Sequence, residues 1–317
     1  MKNVKRSGEE AAVRKKRWKR WRITALDFMA LPAVIYLIIN NYIPMGGMFI
    51  AFKNIDYGKG IFGSDWCGFK NFEFLFRSSD AFIIVRNTIL YNLAFILLGC
   101  FMGILVGLLL NEITSKLMKK TYQTVILLPQ LISIIIVAYI VYALFSNEAG
   151  FINNRILEPL GLDKVNFYNT PAYWPFILVF VQIWKTIGYD SIIYFSSIIS
   201  VDRSLYEAAT IDGASRFQQI RYVTLPLIKP IAITLVLMKV GRIFYSDFGL
   251  FYQVPMNSGA LYNVTNTIDT YVYRALMNFN DVGMSSAAGV FQSIVGFVVI
   301  LVVNGTVRKI DRENALF

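Results

Sequence analysis

Within otherwise apolar stretches the chain places Asn92, Lys185, Tyr189, Asp190, Lys239, Arg242 and Asp247. An ionisable group at the centre of a membrane helix costs about 2.5–3.5 kcal/mol, so such groups face protein or a wet cavity. Lys239 and Arg242 stand three residues apart and share one helix face. Two chemistries fit them. One is a polar path for a sugar, with Tyr189, Tyr194 and Tyr245 offering rings and with Lys239 and Arg242 complementing an anionic sugar such as a uronide. The other is internal pairing, with Asp190 or Asp247 as partners, that holds helices in register. Covalent and metal chemistry lack their usual parts, because there is no histidine and the only thiols are Cys67 and Cys100. No Gly-x-x-x-x-Gly-Lys-Ser/Thr phosphate loop is present either.

A second set of residues is the polar island at 201–226, which contains Glu207-Ala208-Ala209, Asp212-Gly213-Ala214 and Leu225-Pro226. Asp202 or Ser204 can cap a helix start there, and Ser204 with Glu207 has capping-box spacing. Gly213 permits a bend or a left-handed residue, and Asp212 is placed to cap a second helical piece. Ile211, Ala214, Phe217, Ile220 and Tyr222 follow helical spacing on that piece, with Arg216, Gln218, Gln219 and Arg221 opposite. The spacing predicts a bent pair of water-facing helices.

These residues need membrane elements to carry them. The chain is 56% hydrophobic and 16% charged, with a mean hydropathy of +0.52, which reads as an all-α polytopic membrane protein. Six spans are expected, at 28–52, 89–110, 125–145, 173–200, 228–250 and 285–303. The first is irregular through Pro32, Asn40 and Pro44. In the second, Gly99, Gly103 and Gly107 recur every four residues and prepare one face for close packing. The segments 53–86, 146–172 and 251–283 read as external loops, 111–120 as a short basic turn.

The net charge of +11 does not imply nucleic acid, since ten Lys and Arg crowd the first 22 residues. Residues 1–24 therefore form a basic cytoplasmic arm ahead of a permease domain at 25–317. The arm reads as a positive-inside flank, or as a strap on anionic lipid with Trp18 and Trp21 at the headgroups, and not as a signal peptide. Nineteen of the 31 Lys and Arg fall in the segments assigned inside and eight in the loops assigned outside. Both termini and the 201–226 island are thus expected in the cytoplasm.

Glu-Ala-Ala, Asp-Gly-Ala and Leu-Pro in this register resemble the coupling loop of binding-protein-dependent ABC importer permeases. Further stretches resemble the carbohydrate branch of that family, the maltose-permease-like superfamily: Gly68 to Phe72, Leu109-Leu110-Asn111-Glu112, Ile183-Trp184-Lys185 with Gly188-Tyr189, and Asp269 to Arg274. The last, with the long basic start, is similar to the LplB-like oligosaccharide permeases. The resemblance implies a type I ABC importer transmembrane fold in a bacterial cytoplasmic membrane. It implies a second homologous permease, two ATPase subunits, an extracellular substrate-binding lipoprotein and an oligosaccharide substrate. ATP and Mg would be bound by the partner ATPase, with no cofactor in this chain and no enzymatic activity of its own. Glu207, Ala208, Ala209, Asp212, Gly213, Leu225 and Pro226 would couple it to that ATPase. The large periplasmic insertion of the maltose permease is missing, so that relative's substrate contacts do not carry over. An ion-coupled carrier acting without an ATPase is the alternative; it predicts internal repeats, and none is evident.

Overall fold

The computed structural model describes residues 25–73 and 79–310, so the basic arm at 1–24 lies outside the described residues. The chain divides into two units, residues 1–49 and 50–317. In the first, helix α1 (Ala25–Leu37) passes into a π turn (Ile38–Tyr42) and a short helix (Ile43–Met45). The stretch Asp27–Phe52 is long and apolar enough to cross a membrane, as expected for 28–52.

Proline explains the wide turn. Ile43 donates its N–H to the Ile38 carbonyl and Pro44 follows it. The π turns Asn153–Leu157 and Ile220–Thr224 likewise close on Glu158 and Leu225, immediately ahead of Pro159 and Pro226. A proline ring collides with the carbonyl four residues back. One extra residue in the preceding turn moves that carbonyl aside.

The second unit opens with a two-stranded ribbon in which β1 (Lys53–Asn54) pairs antiparallel with β2 (Asp65–Trp66). Helix α2 then runs over Ser79–Glu112, so 79–86, assigned above to a loop, are helical. Helices α3 (Lys116–Leu131) and α4 (Ile134–Phe145) follow. Helix α5 spans Trp174–Ile199. Helix α6 (Arg203–Ile211) and helix α7 (Arg216–Gln219) form the island, and the π turn at 220–224 joins α7 to helix α8 (Leu225–Val240). Helices α9 (Phe248–Tyr252), α10 (Tyr262–Thr265) and α11 (Ile268–Phe279) fill the predicted loop at 251–283 and its approach. Helix α12 (Val282–Ile310) extends beyond the predicted 285–303 at both ends. Among the described residues five stretches qualify as membrane spans, or six if α3 and α4 count as one.

Two predicted spans are broken. The one expected at 125–145 is α3 and α4, bent by 93°, and α3 takes in the second half of the predicted basic turn. Pro129 withholds a donor near the end of α3, and Ile132 and Ser133 are extended. The span expected at 228–250 ends at Val240, with Gly241 as C-cap, and the chain turns before Asp247 caps α9. Gly241 lies close against α12, where a side-chain carbon would stand 2.8 Å from Ile300 Cδ1 and oblige that side chain to move.

Gly99, Gly103 and Gly107 find their neighbour in α5. A side-chain carbon at Gly103 would approach Tyr194 to 3.0 Å, and one at Gly107 would lie 3.2 Å from the Ser191 carbonyl oxygen. Leu93, Leu97, Phe101, Leu105 and Leu109, spaced by four on α2, are exposed instead, which suits a lipid-facing stripe. The largest buried cluster lies at one end of the helices, where Tyr91, Val137, Val141, Trp174, Leu178 and Phe251 pack together.

Candidate functional site

The island forms a polar tip between α5 and α8. Asp202 is the N-cap of α6 and accepts from the Ser204 amide at 2.9 Å, and those hydrogen bonds hold its carboxyl below the ordinary carboxylate range. The capping box expected from Ser204 and Glu207 is therefore not the one formed. It is Ser215 and Gln218 that make a reciprocal box at α7. Asp212 accordingly does not cap the second piece; it is the C-cap of α6. Gly213 is left-handed at φ +79°, and the amides of Gly213 and Ala214 return to the carbonyls of Thr210 and Ala209. That arrangement ends the helix with its last carbonyls satisfied.

Two polar contacts brace the tip. Tyr206 and Thr224 share a hydroxyl hydrogen bond of 2.9 Å, and Gln219 Nε2 donates to Thr210 Oγ1 at 3.0 Å. Glu207, Ala208, Asp212, Gly213, Leu225 and Pro226 are exposed and Ala209 is half-buried. Ile211 is 86% and Phe217 69% exposed, on a segment too polar to lie in lipid. Behind the tip a cavity of about 200 Å³ is lined in part by Asn111, Glu112, Arg203 and Arg216.

Away from the tip, α2, α3, α5, α8 and the turn after α8 enclose a cavity of about 640 Å³. Asn92, Tyr189, Asp190, Lys239, Arg242 and Asp247 line it. Lys185 does not. Its ammonium instead donates to the carbonyls of Pro129, Gln130 and Ile132, the last at 2.6 Å. It thus serves the carbonyls at the end of α3, which a membrane cannot solvate.

The cavity charges are used unequally. Lys239 donates to Asp190 Oδ2 at 2.7 Å, with Asp190 nearly buried and Lys239 partly exposed. Asp247 accepts from the Leu250 amide as a helix cap. Arg242 is exposed, makes no ion pair among the described residues, and has its guanidinium 5.9 Å from the Tyr245 ring centre. Tyr189 presents its ring openly, whereas Tyr194 is buried and donates to Cys100 Sγ.

The turn carrying Arg242 is gripped from three helices. Asn92 donates to the carbonyls of Ile243 and Tyr245 at 3.0 and 2.9 Å, so its amide nitrogen serves the backbone. Gln292 donates to the Phe244 carbonyl at 2.7 Å, and Asp269 accepts from the Ser246 amide and hydroxyl. Gln292 and the cavity residues Gln130, Gln182 and Thr186 were not among the candidate site residues, and Asp269 entered only as the start of a stretch that carries the resemblance. Gln182, Thr186 and Tyr189 recur at four- and three-residue steps on α5, a polar helical face that could have marked them.

Comparisons with known proteins are consistent with each other. A family model described as "Binding-protein-dependent transport system inner membrane component" matches residues 96–313. The polygalacturonan/rhamnogalacturonan transport system permease protein YteP of Bacillus subtilis (strain 168) is 34% identical over 289 residues, covering 91% of this chain and 89% of YteP. Protein LplB of the same organism is 31% identical over 304 residues, covering 96% of this chain and 92% of LplB. A bacterial ABC transporter involved in importing the acidic polysaccharide alginate has a chain that superposes with a TM-score of 0.81 at 35% identity, covering 90% of this chain and 96% of that one. The same values hold for the alginate transporter in complex with an alginate pentasaccharide-bound periplasmic protein, where 94% of the matched chain is covered.

Proposed function

We infer the function from one fact: this chain belongs to the family of binding-protein-dependent transport system inner membrane components. It is a permease of a carbohydrate ABC importer. Our proposal goes further. The chain is half of a pore in a bacterial cytoplasmic membrane, both termini lie in the cytoplasm, and a second permease supplies the other half. A partner ATPase pair binds ATP and Mg and grips the tip around Glu207, and an extracellular lipoprotein delivers an acidic oligosaccharide. Transport proceeds by alternating access, with closure of the ATPases moving the tip.

The observation that carries this reading is continuity. The segment from Arg216 through the π turn to Val240 qualifies as one membrane span that begins at the exposed tip and ends beside Lys239 and Arg242 in the cavity wall. A displacement applied at one end is therefore delivered at the other. The ion-coupled carrier has no use for such a tip and is not favoured.

An acidic sugar is supported by the division of charge in the cavity. Asp190 neutralises Lys239, which leaves Arg242 as a cation open to a carboxylate. Relatives named for polygalacturonan/rhamnogalacturonan and for the acidic polysaccharide alginate support the same class. A hydrogen bond to a charged group contributes about 1.5–3 kcal/mol. Arg242→Gln is thus expected to raise the half-saturating concentration of an acidic oligosaccharide about tenfold or more. A neutral one should be unaffected.

The test is reconstitution of the chain with its co-encoded permease, ATPase and binding protein, reading ATP hydrolysis against neutral and acidic oligosaccharides. Stimulation by acidic chains, weakened in Arg242→Gln, supports the proposal. Equal stimulation by both classes would remove the acidic substrate. Failure of any ATPase to assemble would remove the importer mechanism.

A further inference from the structure

Helix α5 enters the tip and helix α8 leaves it, so the two are arms of one hairpin. Near the tip the hairpin is tied by Tyr206 to Thr224 and by Gln219 to Thr210. At the cavity it is tied again, by Lys239 of α8 to Asp190 of α5. Thr224 and Lys239 are fifteen residues apart along a continuous helical path, about 22 Å at the usual rise. The hairpin is therefore tied within its tip and, at a separate level, directly between its two arms.

The upper tie is built into a crowded place. Asp190 Cβ would lie 3.1 Å from any side-chain carbon at Gly103, and one at Gly99 would meet Asp190 Oδ2 at 3.4 Å and Lys239 Nζ at 3.6 Å. The bare face of Gly103 thus gives Asp190 its room, while Gly99 lies in ordinary contact with the pair. Among the described residues Lys239 Nζ is the sole hydrogen-bond partner of the nearly buried Asp190 carboxylate. Arg242 follows three residues later, in the turn that leaves α8.

We propose that the Asp190–Lys239 pair is a register lock which stops α5 and α8 sliding past each other, so that movement of the tip reaches the turn bearing Arg242. Asp190 and Lys239 are then positioning residues for transport, and their role is to couple the two ends of the hairpin instead of touching the sugar. The inference rests on the importer reading above. Without the pair the tip still engages the ATPase, but α8 slips against α5 and the cavity does not follow.

The experiment uses the full transporter in vesicles with Asp190→Asn, Lys239→Met and the reversed pair Asp190→Lys with Lys239→Asp, reading sugar transported per ATP hydrolysed and the half-saturating sugar concentration. Each single variant is expected to keep hydrolysing ATP while the transport ratio falls about tenfold, within the range of ordinary coupling between sites. The reversed pair, which keeps the net charge of the cavity wall, is expected to regain both the ratio and the half-saturation of the unmodified transporter. A substrate-contact role would instead shift half-saturation and would not be rescued by reversal, and that result overturns the proposal. So do single variants with an unaltered ratio. If a single variant does not assemble, the reversed pair decides: regained assembly and ratio support the lock, and loss of both overturns it. An unmodified transporter whose hydrolysis ignores every sugar would instead count against the importer reading itself.

Discussion

Gly188→Ala is expected to destabilise the permease more than any other single-methyl change in α5. A side-chain carbon at Gly188 would fall on the carbonyl of Ile126 in α3, with the carbonyl carbon 2.6 Å away and the Leu127 nitrogen 3.0 Å away. Overpacking that side chains can absorb costs about 1–3 kcal/mol. Here the obstacle is helical backbone, so α3 as a whole must retreat. Its retreat also draws the carbonyls of Gln130 and Ile132 from the Lys185 ammonium and leaves them unsatisfied. A loss of about 3 kcal/mol or more follows, over a hundredfold in the folded ratio. The thermal midpoint of the detergent-solubilised protein checks this, with Gly289→Ala as control because nothing lies within 4 Å of the added carbon. Equal midpoints for both variants would refute the close approach of α3 and α5.

The second large effect is expected at the tip. Ile211 and Phe217 are 86% and 69% exposed on a segment that also carries Glu207 and Asp212 in the open. Burying a large apolar side chain contributes about 1.5–3 kcal/mol. Ile211→Asp with Phe217→Asp should therefore weaken a partner seated there by about two to four orders of magnitude. Glu207→Lys should act in the same direction by reversing the local charge. The measurement is the amount of ATPase retained per permease on copurification, together with sugar-stimulated hydrolysis. Since the altered side chains are exposed, the thermal midpoint of the permease should not move. Undiminished ATPase retention would mean that the partner docks elsewhere.

Much of this protein was legible in its residues. Apolar length sets the number of crossings, since about 20 residues are needed whatever the partners are. The tip was legible because caps and left-handed turns are local: Gly213 bends the chain for a reason contained in Gly213. Even there, two competing local signals were resolved only by geometry, with Asp202 displacing Ser204 and Ser215 displacing Asp212 as caps.

The breaks were not legible as breaks. Pro129 and Gly241 weaken their helices, yet prolines at 32 and 230 lie inside helices that continue. What separates the cases is whether distant groups accept the freed backbone. Lys185 does so for α3, and Asn92, Gln292 and Asp269 do so for the turn after α8. Pairing was equally open, because Lys239 and Arg242 lie three residues apart and the chain offers both Asp190 and Asp247. Sequence spacing specifies what one helix presents along its own face. Which carboxylate meets Lys239, and that Arg242 is left to the cavity, depends on how α2, α5 and α8 pack, since a contact of 2.7 Å between residues 49 apart exists only once separate helices are brought side by side.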